Sequence, residues 1–108
     1  MTFNPAPKKP FKRRKPKLSQ RGKFSDATIA KIIERDNRLC VICFAPADDI
    51  HHVRFKSHGG RGVYTNGVCI CRHCHDDAHN HDKVAKRLQD MMIARYGHDY
   101  FRDRWDLE

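Results

Sequence analysis

Apolar and polar positions along the chain change rhythm several times, and each change predicts an element. After Ser25, a residue able to cap a helix, the apolar residues Ile29, Ile32 and Ile33 share one helical face, so a helix is predicted that ends near Asn37. From Leu39 to Ala47 a cysteine pair is set among Val41, Ile42 and Phe44, which are expected to pack around a knuckle-like turn. Residues Ile50 to Phe55 have strand composition, Ser57 to Gly62 is a glycine-containing loop, and Val68 to Ile70 supplies a second strand, together an antiparallel hairpin. A longer helix is predicted from His75, because Val84, Leu88, Met91, Met92 and Tyr96 line one face, with Gly97 as its stop. Beyond it Tyr100, Phe101 and Trp105 are expected to fold back on the domain. The fold class is therefore α+β.

Length changes this picture by asking what holds such a small body together. A chain of 108 residues accommodates one compact domain with a modest core, and a structural metal or disulfides commonly supplement burial at this size. Of the five cysteines, Cys40-x-x-Cys43 and Cys71-x-x-Cys74 form two pairs, each spanning a tight turn that aims two sulfurs at one ion. Four thiolates close a tetrahedral shell and leave no position for substrate, so a structural zinc is expected. Cys69 is out of register with the pairs and is expected to be buried packing.

Charge divides the chain in two. The net charge is +9, and the excess sits in residues 1–23, where Lys8, Lys9, Lys12, Arg13, Arg14, Lys15, Lys17, Arg21 and Lys23 meet no acid. With Pro5, Pro7, Pro10 and Pro16 and few apolar residues, residues 1–24 read as a disordered basic arm and residues 25–108 as the folded domain. Cationic residues such as Lys12, Arg13, Arg14, Lys15 and Lys17 fit contact with nucleic-acid phosphates. Membrane contact is disfavoured, since no apolar face accompanies the charge and no apolar run reaches bilayer length. A reducing, cytoplasmic setting suits free thiolates.

The second chemical constellation is His51, His52, His75 and His79, with Asn66 between them. Residues four apart on a helix are neighbours, so His75 and His79 can clamp one cation, with His51 as a third ligand from the facing strand. Adjacent strand residues point to opposite faces, which divides the labour: His51 binds metal and His52 is free to act as a general base. Three neutral imidazoles are needed for the ion and a fourth for the base, so activity is expected to fall in acid.

The order Cys40-x-x-Cys43, His51-His52-Val53, Asn66-Gly67-Val68-Cys69-Ile70-Cys71 and Cys74-His75-x-x-x-His79 resembles the HNH endonucleases across residues 36 to 80. The resemblance implies a ββα-metal (His-Me finger) domain with four-cysteine zinc knuckles, flanked by an N-terminal helix and a longer C-terminal helix. It implies His52 as general base and Asn66 as the central Asn, a residue that ligates metal in some branches and braces the loop in others; bracing is favoured here. His51 stands where many members carry Asp. The chain also departs from many relatives in reading Val53-Arg54-Phe55-Lys56 where a proline commonly follows the histidines, and Arg54 and Lys56 become candidate phosphate contacts. An all-imidazole site favours Mn, Ni or Zn over Mg as the catalytic divalent cation. The implied activity is metal-dependent hydrolysis of DNA phosphodiester bonds, by nicking or double-strand cleavage, in a monomer or weak dimer. Small stand-alone members of this kind occur in phage and bacterial genomes, so a phage-encoded protein would work in the host cytoplasm. The competing reading is a non-catalytic zinc module that binds nucleic acid through its arm.

Overall fold

The computed structural model describes residues 15–107. Lys12, Arg13 and Arg14, and with them most of the expected basic arm, lie outside the described residues. Seven elements follow in order: helices α1 (Leu18–Arg21) and α2 (Asp26–Asp36), strands β1 (Asp49–His52) and β2 (Gly67–Ile70), and helices α3 (Arg72–Asn80), α4 (Asp82–Tyr96) and α5 (Arg104–Leu107). Short 3-10 turns at Lys56–His58 and Tyr64–Asn66 shape the loop between the strands.

Helix α2 begins as its sequence predicts, because the Ser25 hydroxyl accepts the Thr28 N–H at 3.1 Å. It stops where Asn37 adopts a left-handed φ of 57°, a conformation that asparagine tolerates better than most residues. Its buried Ile32 packs so closely on β2 that a Cβ at Gly67 would lie 2.5 Å from the Ile32 Cδ1.

The hairpin is antiparallel, with Asp49 opposite Ile70, Ile50 opposite Cys69, His51 opposite Val68 and His52 opposite Gly67. All four residues of β2 are buried, which explains their unbroken apolar run, whereas β1 is only partly covered. Strand β1 is shorter than its composition suggests and is displaced toward the N-terminus. Val53 still makes a ladder-type bond, its N–H to the carbonyl of Asn66 opposite, and the chain leaves the ladder after it because the Arg54 N–H is captured by the Asn66 side chain.

The C-terminal helix is also two helices rather than one. His81, with φ −130° and ψ 115°, breaks the run between α3 and α4, in the polar stretch Asn80-His81-Asp82 where no buried side chain holds the helix straight. The metal-type histidines therefore ride on α3 and the apolar face on α4. Leu88 and Met92 of α4 pack with Val53, Val68, Ile70, Ala78 and Tyr100 into one core that includes Cys40, Cys71 and Cys74. Phe44 differs from expectation: it sits at the tip of its knuckle with φ 66° and is 72% exposed. Among the described residues no helix is long and apolar enough to cross a membrane.

The folded body reaches back beyond Ser25. Arg21 of α1 is buried, and its guanidinium donates to both carboxylate oxygens of Asp103 at 2.8 Å and to Asp106 at 2.7 Å. Arg61 completes the cluster through two bonds to Asp106 at 2.9 and 3.0 Å. Composition alone places Arg21 in the arm, because ion pairing across 82 residues leaves no local trace. The Arg21 guanidinium holds Asp103 below its ordinary carboxylate range, and Arg61 and Arg21 hold Asp106 well below it. Carboxylates with depressed folded-state pKa stabilise the fold above their unfolded value and lose that contribution as pH falls through the folded one. Asp106→Asn is therefore expected to cost about 2 kcal/mol, a deficit constant over roughly pH 5 to 8 and shrinking only below about pH 4. Urea unfolding of both proteins across that range checks it, and a deficit that changes between pH 5 and 8 would contradict it.

Candidate metal centres and active site

The first knuckle turns tightly because the Cys40 N–H reaches the Ala45 carbonyl at 2.7 Å and the Phe44 N–H returns to the Cys40 carbonyl at 2.9 Å. The second forms where β2 runs into α3: Cys71 occupies the helix cap position, its sulfur 3.5 Å from the Cys74 N–H. Because Val41 N–H bonds the Cys69 carbonyl at 3.0 Å, the two turns meet, and the four sulfurs of Cys40, Cys43, Cys71 and Cys74 lie within 4.8 Å of one another. Burial opposes a thiolate at Cys40, yet N–H groups converging on its sulfur bring the pKa down to about 6. Burial and the neighbouring thiols push Cys74 up. Four sulfurs this close ionise together only around a cation, and four soft thiolates, the full set of a tetrahedral site, fit zinc. Cys69 stays apart, buried, with its sulfur directed at the Ile32 carbonyl.

On β1, alternation places Asp49 and His51 on the face toward α3, where His75 and His79 stand one helical turn apart. Ring centroids are 5.0 Å apart for His51 and His75, 5.4 Å for His51 and His79, and 4.9 Å for His75 and His79. One nitrogen from each lies within 4.8 Å of the others. His51 is 2% exposed and its Nε2 is a buried nitrogen without a hydrogen-bond partner. Burial first, then the neighbouring His75 and His79, lowers its pKa to about 3, so it is neutral with a lone pair to give. An orphaned imidazole nitrogen on a ring packed between two more imidazoles fits a divalent cation.

Asp49, which no motif singles out, steers this set. Its carboxylate accepts from His75 Nδ1 at 3.1 Å, which puts the His75 proton on Nδ1 and leaves Nε2 as the ligand atom. The available signal was the Asp49-x-His51 spacing, which puts both residues on one strand face. Phe55 stacks on His79 at 4.9 Å and supports the outer ligand from the loop side.

His52 faces away from these three at the strand end, yet it lines the same cavity of about 380 Å³ as His51, His75, His79, Phe55, Lys56 and Ser57. Its Nε2 lies 2.5 Å from the Gly22 carbonyl, and Phe24 stacks on the ring at 4.1 Å. A carbonyl only accepts, so Nε2 carries the proton and Nδ1 keeps its lone pair. Burial, helped by the Lys56 charge, lowers the His52 pKa and favours the neutral ring. A second hollow of about 550 Å³ adjoins it, sharing Ile50, His52 and Lys56 and rimmed by Lys23 and Arg38.

Asn66 is fully buried and points away from the three imidazoles: its Oδ1 accepts the Arg54 N–H at 2.8 Å, and its Nδ2 donates to the carbonyls of Arg54 at 3.2 Å and Arg61 at 2.9 Å. All its bonds go to the loop backbone. Gly60 presses against the same turn, where a Cβ would sit 1.7 Å from the Arg54 carbonyl oxygen. Of the candidate phosphate contacts, Lys15, Lys17 and Lys56 are exposed, whereas Arg54 is engaged internally, bonded to the His58 carbonyl at 2.9 Å with its guanidinium 4.7 Å above the Phe101 ring.

Residues 39–81, which run from the first knuckle through both strands and α3, match the family model of the HNH endonucleases. No curated protein matches the chain.

Proposed function

We propose that this HNH segment makes the chain a metal-dependent endonuclease that hydrolyses DNA phosphodiester bonds, with His52 as the general base. The observation that carries the reading is the placement of His52: unligated, with Nδ1 free, in the cavity formed by the His51, His75 and His79 cluster. A purely structural metal site has no use for such a group, because a fourth imidazole held beside the other three but outside their cluster adds nothing to metal retention.

A divalent cation bound by His51, His75 and His79 would supply Lewis-acid stabilisation of charge on the phosphate and on the departing 3′ oxygen. The protein's own part is proton transfer and positioning. His52 Nδ1 takes a proton from water as the water oxygen bonds to phosphorus and the P–O3′ bond breaks; a proton from solvent water completes the departing 3′-hydroxyl and leaves a 5′-phosphate, and His52 later returns its own proton to solvent. Gly22 and Phe24 hold the ring in one orientation, Asp49 orients His75, and Asn66 fixes the loop that brings Phe55 and Lys56 to the rim. Lys23, Arg38 and Lys56 line the hollows on either side of His52, and Lys15 and Lys17 extend positive charge along the chain. That charge suits a polyanionic strand laid across the base.

The test is plasmid nicking by the zinc-loaded full chain. Supercoiled DNA is expected to be relaxed or linearised on addition of Mn or Mg, and EDTA to stop the reaction. Binding of supercoiled and linear DNA without cleavage under any divalent ion would instead establish a nucleic-acid-binding zinc module.

A further inference from the structure

The Gly22 carbonyl that meets His52 lies in a strap, residues 17–24, outside the segment that matches the HNH model. Two side chains fasten it there, one on each side of the carbonyl: Phe24, stacked on His52 and packed on Gly67, and Arg21, the buried residue of α1, whereas Leu18 is 65% exposed. On the N-terminal side the anchor is thus a charged side chain immediately before the carbonyl in question.

We propose that Arg21 is a positioning residue for the general base: its clamp with Asp103, Asp106 and Arg61 fixes the Gly22 carbonyl and thereby the tautomer and orientation of the His52 ring. The proposal rests on the reading of His52 as that base.

The clamp is built for direction. Arg21 presents its planar fork to both oxygens of Asp103, and its side chain is 5% exposed. Both carboxylates are themselves tied to backbone: Asp103 Oδ1 accepts the N–H groups of Trp105 and Asp106, and Asp106 Oδ2 accepts that of Asp103. Each end of α5 thus fixes the other, and the guanidinium meets a rigid target. Arg61, on the far side of Asp106, offers its carbonyl to Asn66, which joins the clamp to the loop that floors the site.

Backbone contacts carry the constraint one residue further. The Arg21 carbonyl accepts the Gly62 N–H at 2.7 Å, and at Gly62 a Cβ would lie 1.9 Å from the Lys23 carbonyl oxygen, so strap and loop are pressed together on either side of Gly22. A buried ion cluster is a weak source of net stability compared with an apolar contact of the same volume. A hydrophobic side chain at position 21 would tether the strap about as well, without the two-pronged geometry that sets where the next carbonyl points.

The experiment compares the zinc-loaded full chain with Arg21→Met and Arg21→Lys, reading three quantities: the exchange-protected imidazole Nε2–H of His52 by ¹⁵N-edited NMR, the kcat and KM for plasmid nicking, and bound metal. In the wild type the His52 N–H signal is expected to be visible. Arg21→Met is expected to lose it and to lower kcat about 10–100-fold with KM and metal content unchanged, as misplacement of a reacting group does. Arg21→Lys should recover part of both. Should Arg21→Met fail to fold, Asp106→Asn, which leaves the Arg21–Asp103 fork in place, serves instead and is expected to weaken the signal and kcat together. A protected His52 N–H and a kcat within twofold of wild type in a folded variant overturn the proposal. The NMR signal reads the clamp whether or not the chain cleaves DNA, so failure of the nuclease reading and failure of this one are told apart.

Discussion

His52→Ala is expected to lower the single-turnover rate of plasmid nicking by about 10²–10⁴-fold, the range a positioned general base contributes. The expectation follows from what the side chain does and does not touch. Its ring meets the Gly22 carbonyl and the Phe24 face, and the residue lines the cavity of His51, His75 and His79. It is not among the three imidazoles that can share an ion, so the variant should bind the same amount of metal. The cations proposed to meet phosphate, Lys23, Arg38 and Lys56, are untouched, so affinity for DNA measured at fixed salt should change little. The Ala variant loses one hydrogen bond and one stacking contact, worth about 1–2 kcal/mol of stability, which leaves a folded protein for the comparison. The predicted pattern is thus a collapse of rate with metal content and DNA affinity preserved. Nicking within a few-fold of wild type would remove His52 from the chemistry.

The contrast between β1 and the C-terminal helices shows what the sequence could and could not disclose. Each cysteine pair and the i, i+4 histidines are local patterns whose spacing follows from turn and helix geometry alone, so they were legible as possible ligands, and the pairing of β1 with β2 brings each set together. Antiparallel pairing of the two strands was legible too, because one buried apolar run needed a partner. Residues 53–55 looked like strand by composition, yet Asn66 captures the Arg54 backbone from 12 residues away and turns the chain out of the ladder. The break at His81 had no glycine or proline to announce it. Asp49, Gly22 and Arg21 were invisible for a different reason. Each acts through a partner 26, 30 or 82 residues distant, and nothing in the identity of an aspartate, a glycine or an arginine tells which histidine or carboxylate it will meet.

Removing metal from the four-cysteine site is expected to unfold the domain outright rather than soften it. The sulfurs join the turn before β1 to the turn after β2, and Cys40, Cys71 and Cys74 sit inside the core with Val53, Val68, Ile70, Leu88 and Met92. Structural zinc in comparable small sites is worth about 10–16 kcal/mol, against a total stability of about 5–15 kcal/mol for an ordinary domain, so its loss exceeds what the remaining contacts supply. Cys40→Ser is accordingly expected to show no cooperative thermal transition, and wild type stripped with a strong chelator to behave alike. The paired variant His75→Ala/His79→Ala separates the two centres: it should retain zinc at the cysteines and a cooperative transition while losing nicking, because His79 is exposed, His75 is only half-buried, and the buried Ala78 contact stays intact. A Cys40→Ser chain that melts cooperatively within a few degrees of wild type would show that the hairpin and α4 hold the fold unaided and that the four sulfurs serve some other end.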